Sequence, residues 1–385
     1  MIMLRKSLDY LKRRLPVFFG QVFSLRDAVK VIPARIRLSS LRKSGLGLSV
    51  VYLGGNFPNP PARRTEYSQG GAVKLTYLAE ALPHHFPQAN LLYAVSSVAH
   101  PLQKEILESA KKKGLKIVVN QNGVAFPAWA GEKYTTYNKD LKNILDHSDY
   151  IIYQSRFCRV GAQRYLVPPD VPSEVIFNPV DLGHFSLRDN IKKPKDLTLL
   201  LGGNQYQQYR LELAFQTLHS LLGFVPNAKL IITGNLWRPH VTQAWARHVM
   251  QEMGISDHVS FIGPYTQEAA PTIYSRAHLL LHTQYADASP GLVAEALACG
   301  LPVVHLSNGG VPELVEEAGI GVPVEHSWEK INLPDPHKMA EAVLKVYNDI
   351  NDYSQAARQQ AQKFALEKFV SRHKEIFSKI LELNS

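Results

Sequence analysis

The segment from 287 to 304 constrains this chain more than any other, because it predicts a helix start between two carboxylates. Ser289 is a good N-cap, since its hydroxyl can accept a hydrogen bond from an early helical amide. Pro290 is a good first helical residue, because the N–H that proline lacks would have no partner there. Gly300 stands where such a helix ends, so the predicted helix spans about 290 to 299.

The first turn of this predicted helix suits a pyrophosphate. Early helical amides have no partner within the helix, and the positive end of the helix dipole also favours an anion. Glycine at position 291 lets a ligand approach the backbone closely. The expected ligand-binding positions are Pro290, Gly291, Leu292 and Val293.

Two carboxylates flank this turn. Glu295 lies four residues after Gly291 and three after Leu292, so it shares a helix face with their amides. A carboxylate there repels phosphate, but it can accept two hydrogen bonds from a vicinal diol such as a ribose. Asp287 precedes the cap and can accept a hydroxyl of an attached sugar. The alternative is that Glu295 is a solvated helix residue and Asp287 an ordinary turn former.

The order of elements around the segment identifies it further. Buried strands alternate with predicted helices on both sides, and glycine-rich turns follow. A strand and turn are predicted at 259–265 and further strands at 277–282 and 301–306, followed by the glycine-containing segments 308–313 and 319–324. Over roughly 256–324, this order resembles the donor-nucleotide domain of the retaining glycosyltransferases of family 4.

The resemblance implies an α/β protein of GT-B fold, in which two doubly wound Rossmann-like domains face each other across a cleft. It implies transfer of a sugar from a nucleotide-sugar donor to a glycan or lipid-linked acceptor, with retention at the anomeric carbon. No metal or other cofactor is expected. The implied roles place Glu295 on the ribose and Asp287 on the donor sugar as the catalytic pair, with the amides after Pro290 on the phosphates.

The motif departs from the family pattern at two places. Asp287 replaces the first glutamate of the usual E-x7-E, so its carboxylate has a shorter reach. Ser289 and Pro290 replace the usual phenylalanine and glycine, which removes one backbone donor.

The acceptor side of the cleft is predicted in the first half of the chain. The resemblance places Gly70 and Gly71 across from the donor phosphates, although a glycine pair alone also fits a simple tight turn. Arg63 and Arg64, in the polar loop just before them, are candidate acceptor contacts or part of a lid. Asn122 stands where the family often has a histidine near the acceptor, and an amide cannot act as a base at neutral pH.

The second half is expected to supply cations to the diphosphate. Family members usually carry an arginine after the first glycine-ended strand of this domain and a lysine about five residues later. Here Asn204 and Arg210 stand near those positions, so Arg210 is the candidate cation. It is otherwise a routine solvated helix residue. Gly263, which ends a predicted strand, is a further expected donor-binding position.

Four segments are predicted along the chain. They are a basic amphipathic segment at 1–45, an acceptor-side domain at 46–182, a nucleotide-sugar-binding domain at 183–365, and a helix at 366–385 that returns to the first domain.

The net charge of +10 lies almost wholly at the N-terminal end. Residues 1–45 hold eleven Lys and Arg against two Asp, and leucines recur there at helical spacing. Such a helix can lie on an anionic membrane surface, or it can pack on its own domain with a solvated basic face. Nucleic-acid binding is not expected, because aromatic residues are not interleaved with the charges.

Composition sets the remaining expectations. The 385 residues, 45% hydrophobic and 20% charged, suit two globular domains. Two cysteines make a disulfide framework improbable, which favours the cytoplasm, with the inner face of the membrane as the place of peripheral attachment. Two other functions stay open: a catalytically degenerate scaffold of the same fold that binds nucleotide or lipid headgroups, and a sugar-phosphate isomerase or epimerase.

Overall fold

The structure is a computed structural model. It describes residues 34–45, 47–61, 70–98, 100–187, 193–236 and 241–382. The predicted amphipathic helix before residue 34, and the candidate acceptor contacts Arg63 and Arg64, lie outside the described residues.

The first half is built on a five-stranded parallel sheet. Its strands are short apolar runs, as expected for a sheet covered by helices on both faces. In spatial order they are β2 (Val50–Leu53), β4 (Leu91–Val95), β5 (Lys116–Gln121), β6 (Tyr150–Tyr153) and β7 (Ser173–Val175). A separate parallel pair joins β1 (Arg42–Lys43) to β3 (Gln88–Ala89).

Five helices accompany this sheet: α1 (Gly71–Ala81), α2 (Gln103–Lys112), α3 (Pro127–Ala130), α4 (Tyr134–Leu145) and α5 (Arg156–Tyr165). Helix α1 begins at Gly71, one residue before the predicted start. A Cβ at Gly71 would lie 2.4 Å from Ser97 Oγ, so only glycine lets the helix begin this close to the loop after β4. The helix begins directly at the glycine pair, as the strand, turn and helix pattern predicts.

The second half contains a six-stranded parallel sheet. In spatial order its strands are β10 (Val259–Gly263), β9 (Lys229–Thr233), β8 (Thr198–Leu201), β11 (Leu279–His282), β12 (Val303–Leu306) and β13 (Gly319–Val322). The chain builds outward from β8 to β10 and then returns to the other side of β8. The direction therefore reverses between β8 and β11, and ligands of open α/β sheets bind at the carboxyl ends of such strands.

The helices of this half are α6 (Gln208–Leu222), α7 (Gln243–Glu252), α8 (Ala270–Tyr274), α9 (Gly291–Ala298), α10 (Val311–Val315), α11 (Pro336–Asn348) and α12 (Ile350–Ala361). The predicted cap of α9 is wrong by one residue. Pro290 is the N-cap with extended backbone, and the Ser289 hydroxyl has no hydrogen-bond partner among the described residues. Proline fixes φ but not ψ, so it can stand just outside a helix as well as at its first position.

The last helix, α13 (Leu366–Glu382), crosses back to the first half as predicted. Residue 180 and residues 364–366 exchange backbone hydrogen bonds, so the two passages between the halves run side by side. On α13, the side chain of Phe377 is fully buried against Tyr93 of β4, and His373 Nε2 lies 3.1 Å from the Tyr93 hydroxyl. The sequence boundaries at 45, 182 and 365 remain predictions.

Substitution Phe377→Ala tests this crossing. Removing a fully buried ring leaves a cavity, so we expect the free energy of unfolding to fall by about 3–5 kcal/mol in urea titrations. Lys374→Ala, on the exposed face of the same helix, is the matched control and should change it by less than about 0.5 kcal/mol. Equal effects of the two substitutions would contradict the docking of α13.

Candidate functional site

The turns after β8 and β9 pack against each other, and the turn after β8 also packs against the first turn of α9. A Cβ at Gly202, in the turn after β8, would lie 2.6 Å from the side chain of Leu292 in the first turn of α9. A Cβ at Gly234, after β9, would lie 2.2 Å from the Gly203 carbonyl oxygen. These close approaches bring the loops at the carboxyl ends of the central strands into one floor, with the amides of α9 above it.

Glu295 lies in this site with both carboxylate oxygens already hydrogen-bonded. Gln267 Nε2 donates to Oε1 at 2.9 Å, and the Tyr274 hydroxyl donates to Oε2 at 2.7 Å. Burial raises the pKa of the Glu295 carboxyl, while these two hydrogen bonds oppose the rise. Each oxygen keeps a further lone pair, so the carboxylate is fixed in orientation and can still accept hydrogen bonds from a diol.

Asp287 lies on the other side of the α9 start, with its side chain 28% exposed. His282, at the end of β11, is almost fully buried, and its Nε2 lies 3.2 Å from Asp287 Oδ2. Gly310 N donates to the Asp287 carbonyl at 2.7 Å, and the Asn308 side chain accepts from Ala286 N at 3.1 Å. The backbone around Asp287 is therefore held in place, while neither ring nitrogen of His282 has a hydrogen-bond partner among the described residues. The sequence analysis gave His282 no role, although a histidine ending a buried strand five residues before the acid was a usable signal.

The expected contact of Arg210 with a diphosphate needs correction. Its side chain is buried, with Nη1 donating to the Asn204 carbonyl at 2.7 Å and Nη2 to the Gly202 carbonyl at 3.2 Å. The side-chain oxygen of Asn204 in turn accepts from Asn235 N at 2.9 Å. Arg210 thus braces the turn after β8, because a guanidinium at the amino end of α6 finds backbone carbonyls closer than solvent. Asn204 is part of the same braced turn.

Gly263 lies at the end of β10 with φ of +81°, a conformation that favours glycine. Its carbonyl accepts from Gly234 N at 2.7 Å. No described atom comes within 4 Å of the place a Cβ would take, so the position is open.

The first half closes over this site. Gly71 and Asn122 lie together, since a Cβ at Gly71 would be 3.0 Å from Asn122 Nδ2, and that amide also donates to Ser97 Oγ. A Cβ at Gly123 would lie 3.0 Å from the side chain of Ala288, so the two halves meet here. A cavity of about 200 Å³ lies at this junction. Its lining includes Asn122, Phe126, Trp129 and Phe157 from the first half and Tyr285 and Asp287 from the second.

The carboxylate of Glu313, on α10, joins the two halves. Its Oε2 accepts from Arg156 N and its Oε1 from Phe157 N, each at 2.9 Å. It therefore caps helix α5 of the opposite half, where the helix dipole favours negative charge. Ser155, the N-cap of the same helix, donates its hydroxyl to the Ala288 carbonyl at 2.7 Å. The sequence analysis noted Glu313 only as the end of a glycine-rich turn, and its partner amides are 156 and 157 residues away.

A buried cation in the first half was also missed. Lys74 of α1 is only 3% exposed, and its Nζ donates to three amide oxygens. They belong to Asn120 (2.7 Å), Asn122 (2.7 Å) and Gln154 (3.1 Å). Burial lowers the pKa of the Lys74 ammonium to about 7. A lysine between apolar residues in a predicted helix was the available signal.

Two facing parallel sheets with a ligand site at the strand ends between them define the GT-B fold, and solved structures share it. Sucrose-phosphate synthase from Thermosynechococcus elongatus superposes with a TM-score of 0.68 at 15% identity, over 88% of this chain and all of the other. Anabaena HepE in complex with UDP gives a TM-score of 0.65 at 15% identity, over 86% of this chain and all of the other.

Residues 185–364 match the family model described as glycosyl transferases group 1. The phosphatidylinositol N-acetylglucosaminyltransferase gpi3 subunit of Schizosaccharomyces pombe is 24% identical over 63% of this chain and 50% of its own length. D-inositol 3-phosphate glycosyltransferase of Corynebacterium glutamicum is 31% identical over 32% of this chain and 28% of its own length. The chain thus spans half or less of these curated relatives.

Across the described ranges, none of the helices combines the length and the apolar character that crossing a bilayer requires.

The raised pKa of Glu295 makes a prediction about stability. A carboxyl whose pKa is higher in the folded state stabilises the fold below the unfolded pKa, and this contribution is lost as pH rises through the folded pKa. Glu295→Gln should therefore raise the urea midpoint relative to wild type more at about pH 8 than at about pH 4. Glu325→Gln, at an exposed position, is the control. A Glu295→Gln advantage that is larger in acid would contradict the effect of burial.

The Glu313 contact makes a prediction about closure. Glu313→Ala removes two hydrogen bonds to a charged group, each worth about 1.5–3 kcal/mol, and should increase the radius of gyration in small-angle X-ray scattering. Glu316→Ala, which removes an exposed carboxylate three residues away, should leave the radius of gyration unchanged. If both variants scatter like wild type, Glu313 does not hold the halves together.

Proposed function

We propose that this protein transfers a sugar from a nucleotide-sugar donor to an acceptor hydroxyl, with retention at the anomeric carbon. One observation carries the proposal. The amides of Gly291 and Leu292 begin α9, which follows β11 at the switch point of the second sheet, and Asp287 and Glu295 flank them along the chain. A pyrophosphate with a ribose at one end and a sugar at the other matches this order of groups.

In this proposal, the diphosphate lies against the amides of Gly291 and Leu292. The third expected amide, that of Val293, already donates to the Pro290 carbonyl at 3.1 Å. As the bond between the anomeric carbon and the diphosphate oxygen breaks, negative charge grows on the leaving group. The helix dipole and the amides stabilise that charge without reorganising, because they are fixed by the fold. The new bond forms to the acceptor oxygen, whose proton leaves with the departing diphosphate or solvent.

Glu295 is proposed to bind the ribose. Its orientation is fixed by Tyr274 and Gln267, so ordering it costs little when the ligand arrives. Asp287 is proposed to orient the donor sugar. Its side chain is partly exposed, so its carboxylate oxygens are accessible to a sugar hydroxyl.

Uridine is the base to test first, because Anabaena HepE was solved with UDP and shares the fold. The acceptor is proposed to occupy the cavity beside Asn122, whose aromatic walls suit the apolar face of a sugar or a lipid-linked group. The names of the relatives make an inositol phosphate or a phosphatidylinositol a sensible first acceptor. Lipid-linked acceptors would bring the chain to the inner face of the membrane, where residues 1–45 could bind anionic headgroups.

Group 1 enzymes of the GT-B fold generally need no metal, and we propose the same here. Among the described residues, no group of three or more His, Cys, Asp or Glu side chains could hold a metal ion. In this proposal, the amides and the dipole of α9 stabilise the charge of the leaving group.

Two substitutions test the site. Glu295→Ala and Asp287→Asn should each lower sugar transfer at least about 100-fold, because each removes an interaction with the donor. Transfer is measured as product formed from UDP-, GDP- and ADP-sugars with inositol phosphate or phosphatidylinositol. Glu325→Gln is the matched control and should keep wild-type turnover. Wild-type turnover by Glu295→Ala would refute the site, and nucleotide binding without any transfer would favour the non-catalytic scaffold.

A further inference from the structure

The buried Lys74 ammonium has polar partners but no counter-ion. Its three N–H groups are taken by three amide oxygens, and no ion pair with a carboxylate forms within the described ranges. Amide dipoles solvate an ammonium but do not neutralise it, and an uncompensated buried charge is costly. The buried ammonium of Lys74 therefore requires a compensating anion, and the described residues supply none.

The partners of Lys74 lead directly to the start of α9. Gln154 Oε1, which accepts from Lys74, also accepts from Asn178 Nδ2 at 3.1 Å. The same Asn178 Nδ2 donates to the Ser289 carbonyl at 2.7 Å. Lys74 is thus two side chains away from the residue that precedes the N-cap of α9. Asn122, another partner of Lys74, lines the cavity between the halves.

Buried polar atoms around this network are also unused. Within the part of the chain that the structure describes, Asn120 Nδ2, Asn178 Oδ1 and Ser289 Oγ have no hydrogen-bond partner. Asn120 is fully buried and Ser289 is 5% exposed. Buried polar atoms in native proteins nearly always have partners. Two of these unused atoms, Asn120 Nδ2 and Ser289 Oγ, can donate to an anion, while Asn178 Oδ1 can only accept, so unused donors beside an uncompensated cation indicate an anionic ligand.

We propose that Lys74 is a positioning residue for the anionic donor: it orients Asn122 and Gln154 toward the α9 start, and its charge offsets that of the bound diphosphate. This inference rests on the proposed function. Lys74 lies in the opposite half of the protein from Arg210, whose guanidinium is hydrogen-bonded to the turn after β8. Because the low-dielectric interior screens charge weakly, an ammonium one layer below the cleft still acts on a ligand there.

The other titratable groups that face Lys74 do not change charge near neutral pH. Burial raises the pKa of Cys158 on α5 to about 11 and lowers that of His373 on α13 to about 3. Burial also raises the pKa of Tyr93 on β4 far above neutrality. A pH dependence of ligand binding near pH 7 that disappears on replacing Lys74 therefore belongs to Lys74.

The experiment measures the dissociation constant of UDP-glucose by calorimetry at about pH 6 and about pH 8. An anion favours the ammonium form, so affinity is highest below the pKa of free Lys74 and falls above it. The wild-type dissociation constant should rise about tenfold over this range, and binding at about pH 8 should take up a proton. Lys74→Gln keeps a donor without the charge, so it should bind about tenfold more weakly at pH 6 and lose the pH dependence.

Lys74→Arg, which stays charged at both pH values, should also lose the pH dependence but bind more tightly than Lys74→Gln at pH 8. Lys193→Gln removes a partly buried lysine at the amino end of the second sheet and is the matched control with wild-type behaviour. If Lys74→Gln or Lys74→Arg keeps the wild-type slope, the inference is wrong. If the variants do not fold, the absence of proton uptake by wild type overturns it. Wild type that binds no UDP-glucose would instead contradict the proposed uridine-sugar donor and, with it, this role of Lys74.

Discussion

The site depends on three consecutive backbone carbonyls, those of Asp287, Ala288 and Ser289. Each of them accepts a hydrogen bond from a different element. Gly310 N donates to the first, the Ser155 hydroxyl to the second and the Asn178 amide to the third. Because these carbonyls are fixed on one side of the chain, the turn leading into α9 is fixed as well. The turn that carries Asp287 therefore needs no further ordering before α9 begins.

Two of these three donors, Ser155 and Asn178, belong to the first half, so the site is complete only when the halves are together. Glu313 adds a carboxylate to the amino end of α5, and the crossing of α13 holds the halves on the other side. The contacts that hold the halves together and the contacts that fix the turn before α9 are thus linked. This linkage agrees with enzymes in which domain closure assembles the reacting groups and excludes water.

Local sequence determined much of this outcome. Periodicity, glycine and proline predict the α/β alternation, the start of a helix near Gly71, and the bounds of α9 to within one residue. The direction of individual side chains could not be predicted in the same way. Lys74 turns inward because its acceptors, 46 to 80 residues away along the chain, meet it there, and Arg210 is buried by the turn it braces. Such contacts depend on tertiary packing, which no local pattern records.

The most direct test of the account is a crystal structure of the protein with UDP-glucose bound. The account predicts the diphosphate at the amides of Gly291 and Leu292, the ribose hydroxyls on Glu295, and the glucose beside Asp287 and Asn122. A nucleotide-sugar bound elsewhere, or bound here with its ribose and sugar ends exchanged, would contradict it.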